Sequence, residues 1–580
     1  MDRKDVASAL EEVAVLLELK GENPFKIRAY NQAARTISNL EADLSELVAG
    51  GGLSQIKGVG KTLAAQVTQL VETGRLEYAE ELKASFPSGL LEILSVPGLG
   101  PKKVKTLYED LGIGNLGELE YACRENRLVT LKGFGAKTQA NVLKGIDDLK
   151  KYRGRFLWAE AEPTALGLVE TLAGCPGVGR VEAAGSFRRR KEVVKDLDLV
   201  AATKEPQRVT QFIKELDQVE SIESAGETKV TFRLKAGLNV DLRLVPEEAF
   251  AFALHHFTGS KEHNTQMRRR AKERGFKLNE YGLFDEAGGV RGARDEGEVF
   301  GLLDLPFIPP ELREGLGEIE AAEAGTLPEL IEPTDLKGLF HVHSNFSDGV
   351  MSVAEITARC QELGYGYVGL SDHSRTAFYA GGMTLEDLDR QQAEVDKARL
   401  AHPGFHLFWG IESDILPDGS LDYPEEVLAR FDFVIASVHS NFKMSGRDMT
   451  ARLVKAARNP YTTILGHVTG RLLLAREPYE LDLDAVLAAA AENGTVMEIN
   501  ANPHRLDLDW REMRRARKLG LKMMICPDAH SAQGLGDARF GIMAARKGWL
   551  TRGDVLNCLT GEEMALYLAA RKGAAIEKRG

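Results

Sequence analysis

The sequence predicts a multidomain protein that is helical at its N-terminus, α/β through its middle, and a parallel α/β fold of barrel type at its C-terminus. Three observations predict this. First, 580 residues exceed what one core organises, and imply about three to five domains. Second, the periodicity of apolar residues changes along the chain. Up to about residue 150, runs such as Val6, Leu10, Val13, Leu16 and Leu17 keep helical spacing and glycines punctuate them. From about 155, strand-like runs (Asp198-Leu199-Val200, Val240-Asp241-Leu242) alternate with helical stretches. Beyond 336, Gly338-Leu339-Phe340-His341, Tyr367-Val368-Gly369-Leu370 and Phe433-Val434-Ile435-Ala436 alternate with helices, the pattern of a parallel sheet. Third, only His255, His256 and His263 of the twelve histidines precede residue 336, so the last part is rich in metal-binding side chains.

Composition narrows the function classes. Five widely spaced cysteines (Cys123, Cys175, Cys360, Cys526, Cys558) form no CxxC pair, which argues against a disulfide framework or a thiolate zinc knuckle. No apolar run approaches the roughly 18 residues of a membrane span, and the expected address is cytoplasmic. A net charge of -12 is the wrong sign for a protein that coats nucleic acid, so any DNA contact must be local. The basic runs Arg188-Arg189-Arg190-Lys191 and Arg268-Arg269-Arg270 are candidates for such contact, or else solvated charged faces.

One unit occurs three times in the helical region: Gly58-Val59-Gly60-Lys61, Gly98-Leu99-Gly100 with Lys102, and Gly133-Phe134-Gly135 with Lys137. A Gly-x-Gly turn opening a helix exposes backbone N–H groups beside the positive end of the helix dipole, where a phosphate fits without sequence readout. These resemble helix-hairpin-helix motifs, a non-specific DNA grip. Asn23-Pro24-Phe25-Lys26-Ile27-Arg28-Ala29-Tyr30, with the first hairpin and Gly74-Arg75-Leu76, resembles the N-terminal domain of DNA polymerase beta. The resemblance implies that Lys26 and Tyr30 hold the 5′-phosphate across a gap. Gln66 aligns with the lysine of that family's Schiff-base lyase and has no amine, so lyase activity is expected to be weak or absent.

Asp196-Leu197-Asp198 lies on a predicted strand, so both carboxylates share one face. Side by side they repel unless a cation intervenes, and Asp241 in a second strand supplies a third oxygen ligand. Gly185-Ser186-Phe187-Arg188-Arg189 precedes them, ten residues separating Ser186 from Asp196, and the whole resembles the nucleotidyltransferase signature of X-family DNA polymerases. That resemblance implies catalytic, metal-binding Asp196, Asp198 and Asp241 with Mg²⁺ (or Mn²⁺), and a triphosphate held by Gly185, Ser186 and Arg189. Arg190 and Lys195 stand where the family usually has glycine. His256-Phe257-Thr258-Gly259-Ser260 and Asn264 continue the match into a thumb. They imply sugar packing by His256, Phe257 and Gly259, a base contact by Asn264 and a template contact by Arg268. His256 replaces the tyrosine of many relatives.

In the last part, His341-Val342-His343, Asp348, Asp372-His373, Glu412, His439, His467 and Asp528-Ala529-His530 nearly all follow apolar runs, where barrel strands end and barrel chemistry sits. Nitrogen and carboxylate ligands without thiolate suit Zn²⁺ or Mn²⁺, and so many imply two or three ions. The pattern resembles the PHP (polymerase and histidinol phosphatase) domain, a distorted (β/α) barrel. The resemblance implies one metal on His341, His343, Glu412 and Asp528, a second on Glu412, His439 and His467, and a third on Asp348, His373 and His530. His402, His406 and His504 fall outside the pattern and are expected at the surface, with His504 or Arg505 a candidate substrate contact.

The expected layout is a helical gap-binding domain (1–85), a second helix-hairpin-helix domain (86–154), a nucleotidyltransferase palm (155–255), a thumb (256–318), an exposed Glu/Ala-rich linker (319–335) and the PHP domain (336–580). The resemblance implies a monomeric gap-filling repair polymerase acting on gapped or nicked DNA with deoxynucleoside triphosphates. Its PHP domain is expected to trim 3′ ends, with abasic-site endonuclease or 3′-phosphatase activity as further options. A rival reading keeps the N-terminal half only as a DNA-binding scaffold for the phosphoesterase; the intact aspartates argue against it.

Overall fold

The computed structural model describes all residues except 1–2, 39, 41–43, 57, 151–153 and 578–580. It divides into two compact units, Met1–Leu149 and Lys150–Gly580. The three residues 151–153, at the expected palm boundary, lie outside the described residues. No helix among the described residues is long and apolar enough to cross a membrane.

The first unit is helical. Helices Arg3–Lys20, Pro24–Ser38, Lys61–Thr73 and Glu77–Ala84 bury Val6, Leu10, Val13, Leu17, Val67 and Leu70 in one cluster. Helices Pro101–Leu111, Leu116–Arg124 and Ala136–Lys150 enclose a second cluster around Val104, Leu107, Leu116 and Ile146.

The second unit opens with a five-stranded sheet: β1 (Val178–Ala183), β2 (Asp196–Thr203), β3 (Val219–Ala225), β4 (Lys229–Leu234) and β5 (Asn239–Val245), in spatial order β1-β2-β5-β4-β3. β2 and β5 run parallel; the other neighbours are antiparallel. Alternation sorts the side chains. Leu197, Leu199, Val240 and Leu242 point into the core under helices Trp158–Ala173 and Pro206–Lys214. The opposite face carries Asp196 and Asp198 at one end, then Val200 and Ala202, which pack on helix Phe250–Thr258. Helix Lys261–Glu273 and a three-stranded antiparallel sheet (276–279, 282–285, 290–291) complete a small domain with its own core around Phe252, Met267 and Phe300.

Seven parallel strands follow in sequential order: β6 (Gly338–Val342), β7 (Tyr367–Leu370), β8 (His406–Asp414), β9 (Phe433–Ser437), β10 (Ile464–Leu465), β11 (Val496–Asn500) and β12 (Met523–Cys526). Two backbone hydrogen bonds join the ends of the sheet, Ala529 N–H to the His341 carbonyl at 3.1 Å and His343 N–H to the Ala529 carbonyl at 2.9 Å. Phe340, Tyr367, Phe408 and Phe433 fill the barrel interior, with Met564 and Leu568 of the final helix, Gly561–Glu577, packed against them. Gly369 and Gly410 are required beside this plug, because a Cβ at either would overlap the rings of Phe340 or Phe433. A register shift between Leu339 and Val342, with His341 at φ 62°, lets Phe340 join the plug while His341 and His343 reach the site above it.

Two sequence expectations need correction. Residues 319–335 are anchored at points although 323–326 and 332–334 are exposed: Ile319 and Ala322 join the core beside Phe300, and Ile331 is fully buried, its N–H donating to the Leu550 carbonyl at 3.1 Å. The isoleucines outweigh the polar composition. The basic runs are only partly free, because Arg268 and Arg269 are exposed while their neighbours are engaged. Arg188 and Arg313 bracket Glu296 at 2.6 and 2.5 Å, Arg190 lies over the Trp158 ring at 4.6 Å, and Arg270 donates to the Leu303 carbonyl at 2.7 Å. They tie elements together.

Candidate active sites

The three Gly-x-Gly turns share one geometry. Gly58, Gly98 and Gly133 have φ of 94°, 85° and 90°, a region that favours glycine. The middle residue of each donates to the apolar residue before the turn: Val59 to Ile56 at 3.0 Å, Leu99 to Val96 at 3.1 Å, Phe134 to Leu131 at 3.0 Å. Helices then start at Lys61, Pro101 and Ala136, each accepting its first bond at Gly60, Gly100 or Gly135. A Cβ at Gly60, Gly100 or Gly135 would meet no protein atom, so nothing within the chain requires glycine there. Lys61, Lys102 and Lys137 are exposed beside these turns. Both features leave room for close approach by an external backbone.

Near the first turn, Lys26 Nζ donates to Tyr78 Oη at 2.7 Å, and Tyr30 Oη donates to Gln66 Oε1 at 2.8 Å. Gln66 thus lies beside Tyr30, one of the two residues expected at the 5′-phosphate. Borohydride trapping of the chain on 5′-deoxyribose-phosphate DNA is expected to give no Gln66-dependent adduct; efficient trapping and turnover would contradict this.

In the sheet, β2 and β5 place Asp198 directly opposite Asp241, with Asp196 two residues back on the same face. Asp241 accepts from Thr231 Oγ1 at 2.7 Å and pairs with Lys229 Nζ at 2.8 Å. Burial alone would raise its pKa, but these partners hold it below the ordinary value. At Asp198 the opposing pull of Arg243 and Arg189 is outweighed. Burial first, then Asp196 and Asp241, push its carboxyl up to about 6. A carboxylate disfavoured by its own neighbours is the electrostatic condition that a divalent cation relieves, and the residues present fit one.

Gly185, at φ 58°, lies so close to this group that a Cβ would overlap Asp198 Oδ2. Gly185→Ala is therefore expected to displace Asp198 and lower primer extension on the order of 100-fold, leaving 3′ trimming unchanged. Equal extension by the variant and the parent in a gap-filling assay would refute this. Ser186 follows in the short helix Gly185–Arg188. The Arg189 guanidinium donates to the Thr258 carbonyl and pairs with Glu314 at 3.2 Å, and it sits 3.0 Å from where a Gly259 Cβ would be. Asn264 donates to the His256 carbonyl at 2.7 Å, Arg243 lies over Phe257 at 4.6 Å, and Arg268 is exposed. Phe257 and Gly259 thus pack against Arg243 and Arg189, and Asn264 is tied to His256.

All nine histidine, aspartate and glutamate positions expected at the barrel mouth converge there. Four sets of ligand atoms lie within 4.8 Å of one another: His343, Asp348, His373 and His530; His341, His343 and Asp528; His341, Glu412 and His467; His373, Glu412 and His439. Glu412 and the three imidazoles His341, His343 and His373 are shared between sets, as a bridged cluster requires. His341 Nε2, both ring nitrogens of His343, Asp348 Oδ2 and Glu412 Oε2 are buried with no hydrogen-bond partner among the described residues. Orphaned ligand atoms facing one another in buried sets that contain no thiol fit two or three borderline or hard cations. His341, His467 and Asp528 adopt φ of 62°, 24° and 52°, backbone strain of the kind that gathers at functional sites.

A supporting layer was missed in the sequence. His341 Nδ1 bonds Glu498, His439 Nδ1 lies 2.6 Å from Asp414, and Asn500 donates to Asp528 Oδ2 at 3.0 Å. The two carboxylates fix which ring nitrogen faces the cluster, and Asn500 holds Asp528. Glu498 and Asn500 alternate on β11, and Asp414 sits two residues after Glu412, so the strand period was the available signal. His402 and His406 are half-buried rather than exposed, and His504 is fully inside: its carbonyl accepts from Leu473 at 2.7 Å in a loop folded over the barrel mouth. Arg505 beside it lies 3.7 Å from Asp528.

Comparison with known proteins accords with this geometry. Family models match a helix-hairpin-helix domain at residues 1–76, a SAM-like helix-hairpin-helix tandem at 90–148, the DNA polymerase beta thumb at 253–314 and the PHP domain at 340–502. The chain is 38% identical to the DNA polymerase/3′-5′ exonuclease PolX of Bacillus subtilis, over 98% of its own length and 99% of that protein. It is 27% identical to DNA polymerase lambda of Rattus norvegicus over 53% of this chain and 56% of that one. It is 26% identical to a probable phosphatase of Thermoanaerobacter sp. over 36% of this chain and 91% of that one.

Proposed function

Because the chain belongs to the PolX family, X-family DNA polymerases carrying a PHP domain and a 3′-5′ exonuclease, we propose that it fills short gaps in DNA repair and cleans the 3′ end it extends. Asp196, Asp198 and Asp241 would hold Mg²⁺ or Mn²⁺. Bound there, the cations acidify the primer 3′-hydroxyl and neutralise charge on the triphosphate. Gly185 lets Asp198 close against the loop, Ser186 and Arg189 bind the nucleotide's phosphates, and His256, Phe257, Gly259 and Asn264 line its sugar and base. Gly58, Gly60, Gly98, Gly100, Gly133 and Gly135 present backbone N–H groups to the DNA backbone, with Lys26 and Tyr30 at the 5′-phosphate and Arg268 at the template.

In the barrel, His341, His343, Asp348, His373, Glu412, His439, His467, Asp528 and His530 would hold two or three Mn²⁺ or Zn²⁺ ions. Such a cluster supplies an activated water and neutralises the phosphate oxygens. Glu498 and Asp414 orient His341 and His439. The same chemistry suits abasic-site incision or removal of a 3′-phosphate.

The facing register of Asp198 and Asp241, with Asp196 on their side, carries the polymerase reading. Extension of a primer across a short templated gap, with the template choosing the nucleotide, tests it. A chain that trims 3′ ends yet never extends them would favour the scaffold reading instead.

A further inference from the structure

Helix Ala538–Lys547 follows the loop that carries Asp528 and His530. It leaves the barrel for the polymerase: Phe540 and Met543, with Leu506 from the loop over the barrel mouth, join the core beneath β2 and β5. Its last residue, Lys547, has a side chain only 1% exposed. The ammonium donates to the Arg189 carbonyl at 2.8 Å and to Glu314 Oε1 at 2.6 Å, and lies 4.6 Å from the centre of the Trp510 ring. The same Glu314 oxygen pairs with Arg189 Nε at 3.2 Å, and Lys191 stands 3.6 Å from the other. One carboxylate is therefore divided between a cation of the candidate triphosphate loop and a cation of the barrel.

We propose that Lys547 is a positioning residue for DNA synthesis, supplied by the barrel. By sharing Glu314 with Arg189 and fixing the Arg189 backbone, it keeps that guanidinium available to the incoming triphosphate. The inference rests on the reading of Arg189 as a phosphate ligand. Without the ammonium, Glu314 would draw Arg189 into a closer pair, and a triphosphate would have to compete with a buried carboxylate for it. Burial pushes the Lys547 ammonium down to about 8, with Glu314 opposing, so it stays charged at neutral pH.

Steady-state gap filling by the full chain tests this. Lys547→Met keeps the stem over Trp510 and removes the charge. It is expected to raise KM for the deoxynucleotide about tenfold, with kcat within about twofold and 3′ trimming unchanged. Lys547→Arg should restore most of the KM. In an Arg189→Ala background, already weak for nucleotide, Lys547→Met should add nothing. An unchanged KM in Lys547→Met, a Lys547→Arg no better than Met, or a parallel loss of trimming would each overturn the inference. If Arg189→Ala left KM unaltered, the premise about Arg189 would fall on its own, distinguishable from a failure confined to Lys547.

Discussion

Asp198→Ala is expected to abolish templated extension, by on the order of 10³-fold or more, while 3′ trimming by the same preparation continues at the parent rate. Asp198 faces Asp241 across paired strands and is pushed up by both neighbouring carboxylates, so it is the group that cations cannot do without. Loss of folding is not the expected cause. Its carboxyl is raised to about 6 in the metal-free protein, above the 3.8 of an exposed aspartate. For a group shifted in that direction, the folded state binds the extra proton. Stability is therefore greatest below the exposed value and declines as pH climbs through the window up to about 6. At neutral pH the ionised carboxylate is a burden on the metal-free fold, and Asp198→Ala should melt no lower than the parent there. A variant that loses both synthesis and melting temperature would contradict this.

His343→Ala is expected to do the reverse: at least about a 100-fold loss of 3′ trimming, with gap filling within about twofold of the parent. His343 belongs to two of the four ligand sets, its ring stacks on His530 at 4.2 Å, and Asp528 lies 3.3 Å away. Its removal therefore weakens more than one ion position. Assay of 3′-labelled single strands checks the loss, and assay of a gapped duplex checks the sparing. If either variant stops both activities, two independent sites are the wrong description.

Local pattern made much of this visible before any coordinates. Asp196 and Asp198 had to share a face because strands alternate, and the helical hairpins declared themselves through three copies of one turn. The barrel ligands fell where apolar runs end, which is where parallel strands deliver side chains to a common mouth. What stayed hidden depends on partners far apart in the chain. Arg188 and Arg189 look like a DNA-binding run until Glu296 and Glu314 are seen beside them, and Lys547 lies 358 residues from the carbonyl it binds. Nor does composition reveal that Ile331 anchors the segment expected to be a linker, or that the loop at His504 folds inward. Periodicity reports which face a residue takes; it does not report what stands opposite.

Two cation centres in one chain, one of carboxylates for synthesis and one rich in imidazoles for trimming, are tested most directly by manganese anomalous scattering. Crystals of the full chain with gapped DNA and a non-hydrolysable deoxynucleoside triphosphate should show peaks among Asp196, Asp198 and Asp241, and a separate group among His341, His343, Glu412 and Asp528 with their neighbours. Peaks confined to the histidine cluster, with the three aspartates empty beside bound nucleotide, would contradict a polymerase centre at Asp198.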